Sequence, residues 1–348
     1  MSDTKLEFTA TELLERVDAF WLRFLKDEKE LVRKPVREQV EELNEVLEQC
    51  LEGLALEMSA EDGDLQVEMT ATAHGEKDNF PLLMDFVKRA PSLSHYNLTA
   101  FRARVDEPDF GMNMEDFKLA TSEVLIGHFA DNGRVGIEVL FDRELPSDMK
   151  DHAENMTFIM LDHVLGEFDF AIKVGVVDFV SAFSDQVAGS TNMHKFASVL
   201  DSFWVGALGH TGLFPTGEHD WTTLKIEFKS DGEGNESIVS VNDSANAIAA
   251  RPDLGYAVEL KLPAHDHDTL DTARNLQNQI ATRLELHHVG ILSHTVMRNR
   301  ERLANYYVGD LPAALKLIKA DVSGLDDDCV DLRGEFDPSW SKYFRFAG

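Results

Sequence analysis

Apolar residues recur along the chain at two spacings, and each change of spacing marks a change of element. Leu13, Leu14, Val17, Phe20, Trp21, Phe24 and Leu25 fall on one side of a helix behind the capping pattern Thr9/Glu12. A second helix is predicted from Pro35, a favoured first-turn residue, to about Leu51 on the stripe Val36, Val40, Leu43, Leu47. LALEMS and LQVEMTAT then alternate with period two around the turn Ala60-Glu61-Asp62-Gly63-Asp64, which predicts a hairpin. A helix over Phe80, Leu83, Phe86, Val87 and Ala90 stops before Pro91, and YNLTAFRAR reads as a strand. The order is ββαβ.

After an irregular stretch containing Pro108 and Gly111, the same order returns. EVLIGHFA and VGIEVLF flank Asn132-Gly133, a strong two-residue hairpin signal. Pro146 to Gly166 reads as a helix with Met149, Ala153, Met156, Met160 and Val164 on one face, and FDFAIKVGVV as the closing strand. Element order and turn placement therefore predict a duplicated ββαβ unit from about residue 52 to 180, although residue identity between the copies is slight. The helix MHKFASVLDSFWVGALG follows, and the Gly/Pro-rich GHTGLFPTGEHD sets a domain boundary, separating 1–217 from 218–348. Beyond it, TTLKIEF and SIVSVN form a hairpin. The strands YAVELKL, HVGILSHTV, RLANYYV and CVDLRGEF then interleave with helices over Thr269–Leu286 and Pro312–Ala320. That βαββαβ order is ferredoxin-like, with two helices on one face of an antiparallel sheet and the other face open unless something covers it. The expected class is α+β throughout.

With 348 residues, 43% of them apolar, the chain is long enough for two cores. Charge narrows the partners: 33 Lys and Arg against 63 Asp and Glu leave a net charge of −30, which repels nucleic-acid backbones and anionic membranes. A protein or a small molecule is the expected partner, and most of the exposed charge serves solvation. The two cysteines, Cys50 and Cys329, exclude a cysteine-rich scaffold and any CxxC site, and Cys50 continues an apolar stripe as a buried thiol. MSDTKLEFTATELLERV lacks a basic region followed by an apolar one. AIKVGVVDFVSAF is too short to span a bilayer and contains Lys173 and Asp178. These features predict a cytoplasmic protein off the membrane.

No GxGxxG, GxxxxGK[ST], HExxH or GxSxG occurs, so no catalytic residue and no cofactor is expected. Asp231, Glu233 and Asn235 begin like a calcium loop, but Glu236 and Asn242 stand where Gly and Glu belong. His265-Asp266-His267-Asp268 places four metal-ligand types side by side, yet Asp268 also suits a helix N-cap, and that reading is preferred to a metal at His265 and His267. His287, His288 and His294 flank or occupy one strand, with His288 and His294 on one face by even spacing; hydrogen-bonded strand histidines are expected there, and His163 is read likewise. Arg298, Arg300 and Arg302 cluster at a hairpin turn ahead of Tyr306 and Tyr307, against the acidic background. Paired guanidinium donors grip carboxylates or phosphates, but protection of an edge hairpin is the preferred reading of the cluster. Trp340 and Tyr343, neighbours on a helical turn, are read as sealing the core in preference to forming, with Tyr307, a binding surface.

The strand-turn-strand GILSHTVMRNRERLANYYVGD and the terminal EFDPSWSKYFRFA, with Trp340-x-x-Tyr343, resemble a bacterial domain-of-unknown-function family related to the ribonuclease E inhibitor RraB. FWLRFLKDEKEL and NLTAFRAR look like the segment found ahead of such a domain. The resemblance implies a ferredoxin-like C-terminal half and a role in protein regulation, and it implies no reaction. The expected function is non-enzymatic protein binding. The alternatives are a small-ligand protein or enzyme with its site at the seam of the two halves, and an RNA-binding sheet, which the charge disfavours.

Overall fold

A computed structural model describes residues 10–60, 65–114, 117–146, 148–230, 233–325 and 330–347. Thr9, Glu61 to Asp64 of the first hairpin turn, Asp231 and Gly232 of the calcium-like loop, and Cys329 lie outside the described residues. The chain is mixed α+β with several antiparallel sheets, and it divides into two compact units. The first takes residues up to 126, 140–171 and 191–197; the second takes 127–139, 172–190 and 198–348. Neither is a single stretch of sequence. Among the described residues no helix is long and apolar enough to cross a membrane.

The first unit opens with α1 (Ala10–Leu31) and α2 (Val36–Cys50), followed by β1 (Ala55–Ser59), β2 (Val67–Thr72), α3 (Phe80–Lys88) and β3 (Tyr96–Ala100). The apolar face of α1 is buried at Val17, Phe20, Trp21 and Phe24. Trp21 lies 4.6 Å from the Phe86 ring of α3 and donates Nε1–H to the Phe86 carbonyl at 2.9 Å, so its polar end is satisfied inside the core. β1 and β2 pair antiparallel, and β3 returns parallel to β2 across α3. Asn44 of α2 bonds both the N–H and the carbonyl of Leu56, occupying the outer edge of β1 at that residue. Cys50 is half-buried rather than fully buried, because its stripe runs out at the end of α2; burial pushes its thiol up. The stretch after Pro108, read as irregular, holds a short antiparallel strand pair, β4 (Gly111–Met114) with β5 (Phe117–Ala120).

β6 (Val124–Asp131) and β7 (Arg134–Phe141) join through Asn132 and Gly133, both at positive φ (45° and 74°), as the two-residue turn requires. Next come α4 (Lys150–Leu165), α5 (Glu167–Lys173), β8 (Val174–Phe179) and β9 (Gly189–Asn192), in the sheet order β8-β7-β6-β9. β7 and β8 are parallel, as β2 and β3 are. FDFAIK is helical, not part of the strand. Phe168 and Ile172 are four residues apart and so satisfy a helix as well as an alternation, and the arginine of Arg104, bound to the Leu165 carbonyl at 3.0 Å and to Asp169 at 2.6 Å, holds the α4–α5 junction.

α6 (Phe196–Gly206) precedes β10 (Trp221–Ser230), β11 (Glu233–Asn242), β12 (Tyr256–Pro263), α7 (His267–Leu286), β13 (Gly290–Arg298), β14 (Glu301–Val308), α8 (Leu311–Val322), β15 (Asp331–Phe336) and α9 (Ser341–Ala347). Six strands form one sheet in the order β10-β11-β13-β14-β12-β15, with every pairing antiparallel. One face buries Val258, Leu260, Leu292, Ala304 and Tyr306 against Ala273, Ile280 and Leu284 of α7 and Ile318 of α8.

The N-cap of α7 is Asp266, two residues earlier than the spacing suggested. Its carboxylate accepts from the Thr269 N–H at 2.9 Å, while its own N–H donates to Thr269 Oγ at 3.1 Å. Asp266→Ala is expected to cost about 1 kcal/mol in urea unfolding, and Asp268→Ala a few tenths at most. Equal effects would show that the cap contributes nothing.

Candidate functional site

The face of the six-stranded sheet opposite α7 and α8 is shaped by one irregularity and one short helix. The irregularity is a bulge at Ser293, where the β13–β14 register shifts between Leu292 and His294. Leu292 faces the helices with Tyr306; the extra residue turns His294, Val296 and Arg298 to the other face, alongside Asn305 and Leu303. The even spacing of His288 and His294 carries no meaning here, since His288 lies before the strand at φ 53° with its ring stacked on Phe214 at 4.6 Å.

The short helix is α9, and buried aromatics hold it. Asp337 caps it: one carboxylate oxygen accepts from the Ser341 N–H and hydroxyl, the other from the Lys342 N–H and the Tyr307 hydroxyl at 2.6 Å. Trp340 stacks on Tyr307 at 3.9 Å and donates to the Leu254 carbonyl at 2.9 Å; Tyr343 donates to the Asn242 carbonyl at 3.0 Å. Burial, and for Tyr307 also the neighbouring Asp337, pushes the Tyr307 and Tyr343 hydroxyls up, so both remain donors at neutral pH. Tyr307, Trp340 and Tyr343 thus come together as a seal closed to solvent, not as a surface a partner touches.

Held this way, α9 sets Lys342, Arg345 and Phe346 over the sheet and encloses a cavity of about 230 Å³ with Glu259, His294, Val296, Arg298, Leu303 and Asn305. Two polar side chains in its wall, His294 and Asn305, are each only 3% exposed. His294 Nδ1 lies 3.0 Å from Ser293 Oγ, and that hydroxyl donates its one proton to the Asn305 carbonyl at 3.0 Å. Nδ1 must therefore carry the ring proton. Burial, then the charge of Lys342, push His294 down to about 4, so at neutral pH Nε2 is a bare acceptor. The serine and histidine form a structural link: a hydroxyl committed to a carbonyl is not poised as a nucleophile on its neighbour. Lys342 also pairs with Glu335 at 3.1 Å, and Arg345 lies over the Phe346 ring at 5.5 Å.

Of the three arginines, the structure brings only Arg298 to this cavity. Asn299 and Arg300 are the turn itself, at φ 50° and 62°, so Met297 pairs with Arg302 and Arg298 with Glu301. The reversal puts Arg298 and Arg302 on opposite faces despite their even spacing. Arg302 is half-buried towards α7, donating to Gln277 Oε1 at 2.7 Å and Thr295 Oγ at 3.2 Å. Arg300 is exposed at the tip. Comparison with protein-family models, curated proteins and solved structures returns no match.

His265 and His267 are exposed, and His267 pairs with Asp271 at 2.8 Å. Among the described residues, no three His, Cys, Asp or Glu side chains gather in a way that could hold a metal ion. Sequence reading missed Lys342, Arg345, Asn305 and Glu259; the one available signal was the three-residue spacing of Lys342 and Arg345 on a terminal helix. A second, wider groove of about 800 Å³ runs between α2 and β1, lined by Val36, Val40, Leu54 and Met58 with Glu41 and Glu48 at its sides.

Proposed function

We propose that this chain is a non-enzymatic, cytoplasmic regulatory protein that binds another protein through the cationic rim where α9 meets the C-terminal sheet and the adjoining β13–β14 turn. The observation that carries the reading is the convergence of Arg298, Lys342 and Arg345, from elements distant in sequence, on one face of a chain whose net charge is −30. A local cationic patch on an acidic protein selects acidic groups and steers them by charge. Arg298 and Arg300 make no ion pair among the described residues, which leaves their guanidiniums for a partner's carboxylates or phosphates. Residues 218–348 are read as a ferredoxin-like module. The βαββαβ order and the strand order β13-β14-β12-β15 support this, with β10 and β11 extending one edge. The resemblance to the RraB-related family supports regulation over turnover, and the matching parallel pairings of β2–β3 and β7–β8 support a duplicated ββαβ unit ahead of the module.

The test is a pull-down from native lysate with the wild type and with Arg298→Glu/Arg300→Glu. The expected result is one stoichiometric partner, retained at low salt, released as salt rises and lost by the double variant. A partner bound equally by both proteins, or no stoichiometric partner, overturns the proposal. A second reading, small-ligand binding, is favoured by the buried polar side chains His294 and Asn305 in the wall of the cavity beneath α9.

A further inference from the structure

We propose that the cavity enclosed by β12, β13, β14 and α9 binds a small carboxylate that carries a hydrogen-bond donor on its α-carbon, that is, an α-hydroxy or α-amino acid. The inference goes beyond protein binding but rests on the same cationic face. Two sets of groups line one small space. Arg298, Lys342 and Arg345 supply positive charge and N–H donors, which call for an anionic group. His294 Nε2 and the Glu259 carboxylate supply lone pairs, which call for a donor. The Asn305 carboxamide offers one of each.

A bare anion leaves the buried acceptor side of the cavity facing lone pairs, and a bare cation meets the positive charges of Arg298, Lys342 and Arg345. A molecule with a carboxylate at one end and an O–H or N–H one carbon away answers both sets. Size points the same way: at about 230 Å³ the cavity lies below the range of about 300–1,000 Å³ usual for drug-sized ligands. The wall is built for polar contact, since His294 and Asn305 are almost wholly buried and the ring of His294 is fixed by its bond to Ser293. The aromatic seal explains the precision of the arrangement: Tyr307, Trp340 and Asp337 hold the helix that brings Lys342 and Arg345 over the strand residues.

Calorimetric and NMR titration of the full chain with glycolate, glycine, acetate and inorganic phosphate tests the assignment. Glycolate or glycine is expected to bind saturably and at least about tenfold more tightly than acetate, which has the charge without the donor. Arg298→Ala is expected to weaken that binding by about tenfold or more. His294→Phe is expected to bring glycolate and acetate to the same affinity; if that variant does not fold, Glu259→Leu reads the same loss of preference. Acetate binding as tightly as glycolate, phosphate binding alone, no saturable binding, or binding indifferent to Arg298→Ala overturns the site. The two proposals separate cleanly. Loss of a protein partner in Arg298→Glu/Arg300→Glu together with a wild type that binds no carboxylate sinks this inference and spares the other, whereas glycolate binding by a wild type that recovers no partner does the reverse.

Discussion

Trp340→Ala is expected to destabilise the second unit by about 4 kcal/mol, within the range for removing a fully buried tryptophan. The indole is 0% exposed, stacks on Tyr307 at 3.9 Å and meets Tyr343 edge-on at 5.7 Å. Its N–H is satisfied by the Leu254 carbonyl at 2.9 Å. Truncation therefore leaves a cavity beneath α9 and an unpaired buried carbonyl together. Trp340→Phe keeps most of the stack and loses only the hydrogen bond, so about 1–2 kcal/mol is expected. Urea unfolding followed by near-ultraviolet circular dichroism measures both. The structural consequence is larger than the energy, because α9 carries Lys342 and Arg345: Trp340→Ala is expected to abolish carboxylate binding even under conditions where the unit stays folded. An alanine variant within 1 kcal/mol of wild type would mean that the aromatic seal does not hold the helix.

The second large effect lies in the first unit. Glu167 is 0% exposed, and its carboxylate accepts from the backbone N–H groups of Ala73 at 2.9 Å and Gly75 at 3.0 Å with one oxygen, and of Arg102 at 3.1 Å with the other. Glu167→Ala leaves three N–H donors without an acceptor, each costing about 1–3 kcal/mol when buried, so a loss of about 4 kcal/mol is expected. Glu167→Gln preserves the shape. Its one carbonyl oxygen can serve Ala73 and Gly75, but its amide meets the Arg102 N–H donor to donor, and about 2 kcal/mol is expected. The order alanine, glutamine, wild type in urea midpoint is the diagnostic result. A glutamine variant as stable as wild type would show that the Arg102 bond adds nothing.

Much of the architecture was legible along the chain, and some of it was misleading for physical reasons. The Asn132-Gly133 turn announced its hairpin because only residues that accept positive φ close so short a loop. The C-terminal element order was legible because its strands alternate and its helices repeat at three and four over long enough spans for the two periods to separate. FDFAIK deceived because six residues are too few to distinguish them. The arginine cluster deceived for a different reason: spacing in sequence predicts a shared face only while the strand continues, and the turn at Asn299-Arg300 ends it. His294 was singled out as a strand histidine, but the bulge that aims it away from the helices leaves no mark in the hydrophobic pattern.

The sequence by itself determined much of the local structure: most helices, strands and turns, the acidic field and the absence of familiar catalytic motifs. Those properties depend on neighbours within a few residues or on sums over the whole chain. Tertiary structure alone decided the grouping of 127–139 and 172–190 with 198–348, the enclosure of one sheet face by a terminal helix, and the meeting of Arg298 with Lys342, Arg345, His294 and Asn305. Those outcomes rest on contacts between residues far apart in the chain, set by which buried surfaces and hydrogen bonds fit together in space, and no periodicity along the sequence encodes that fit.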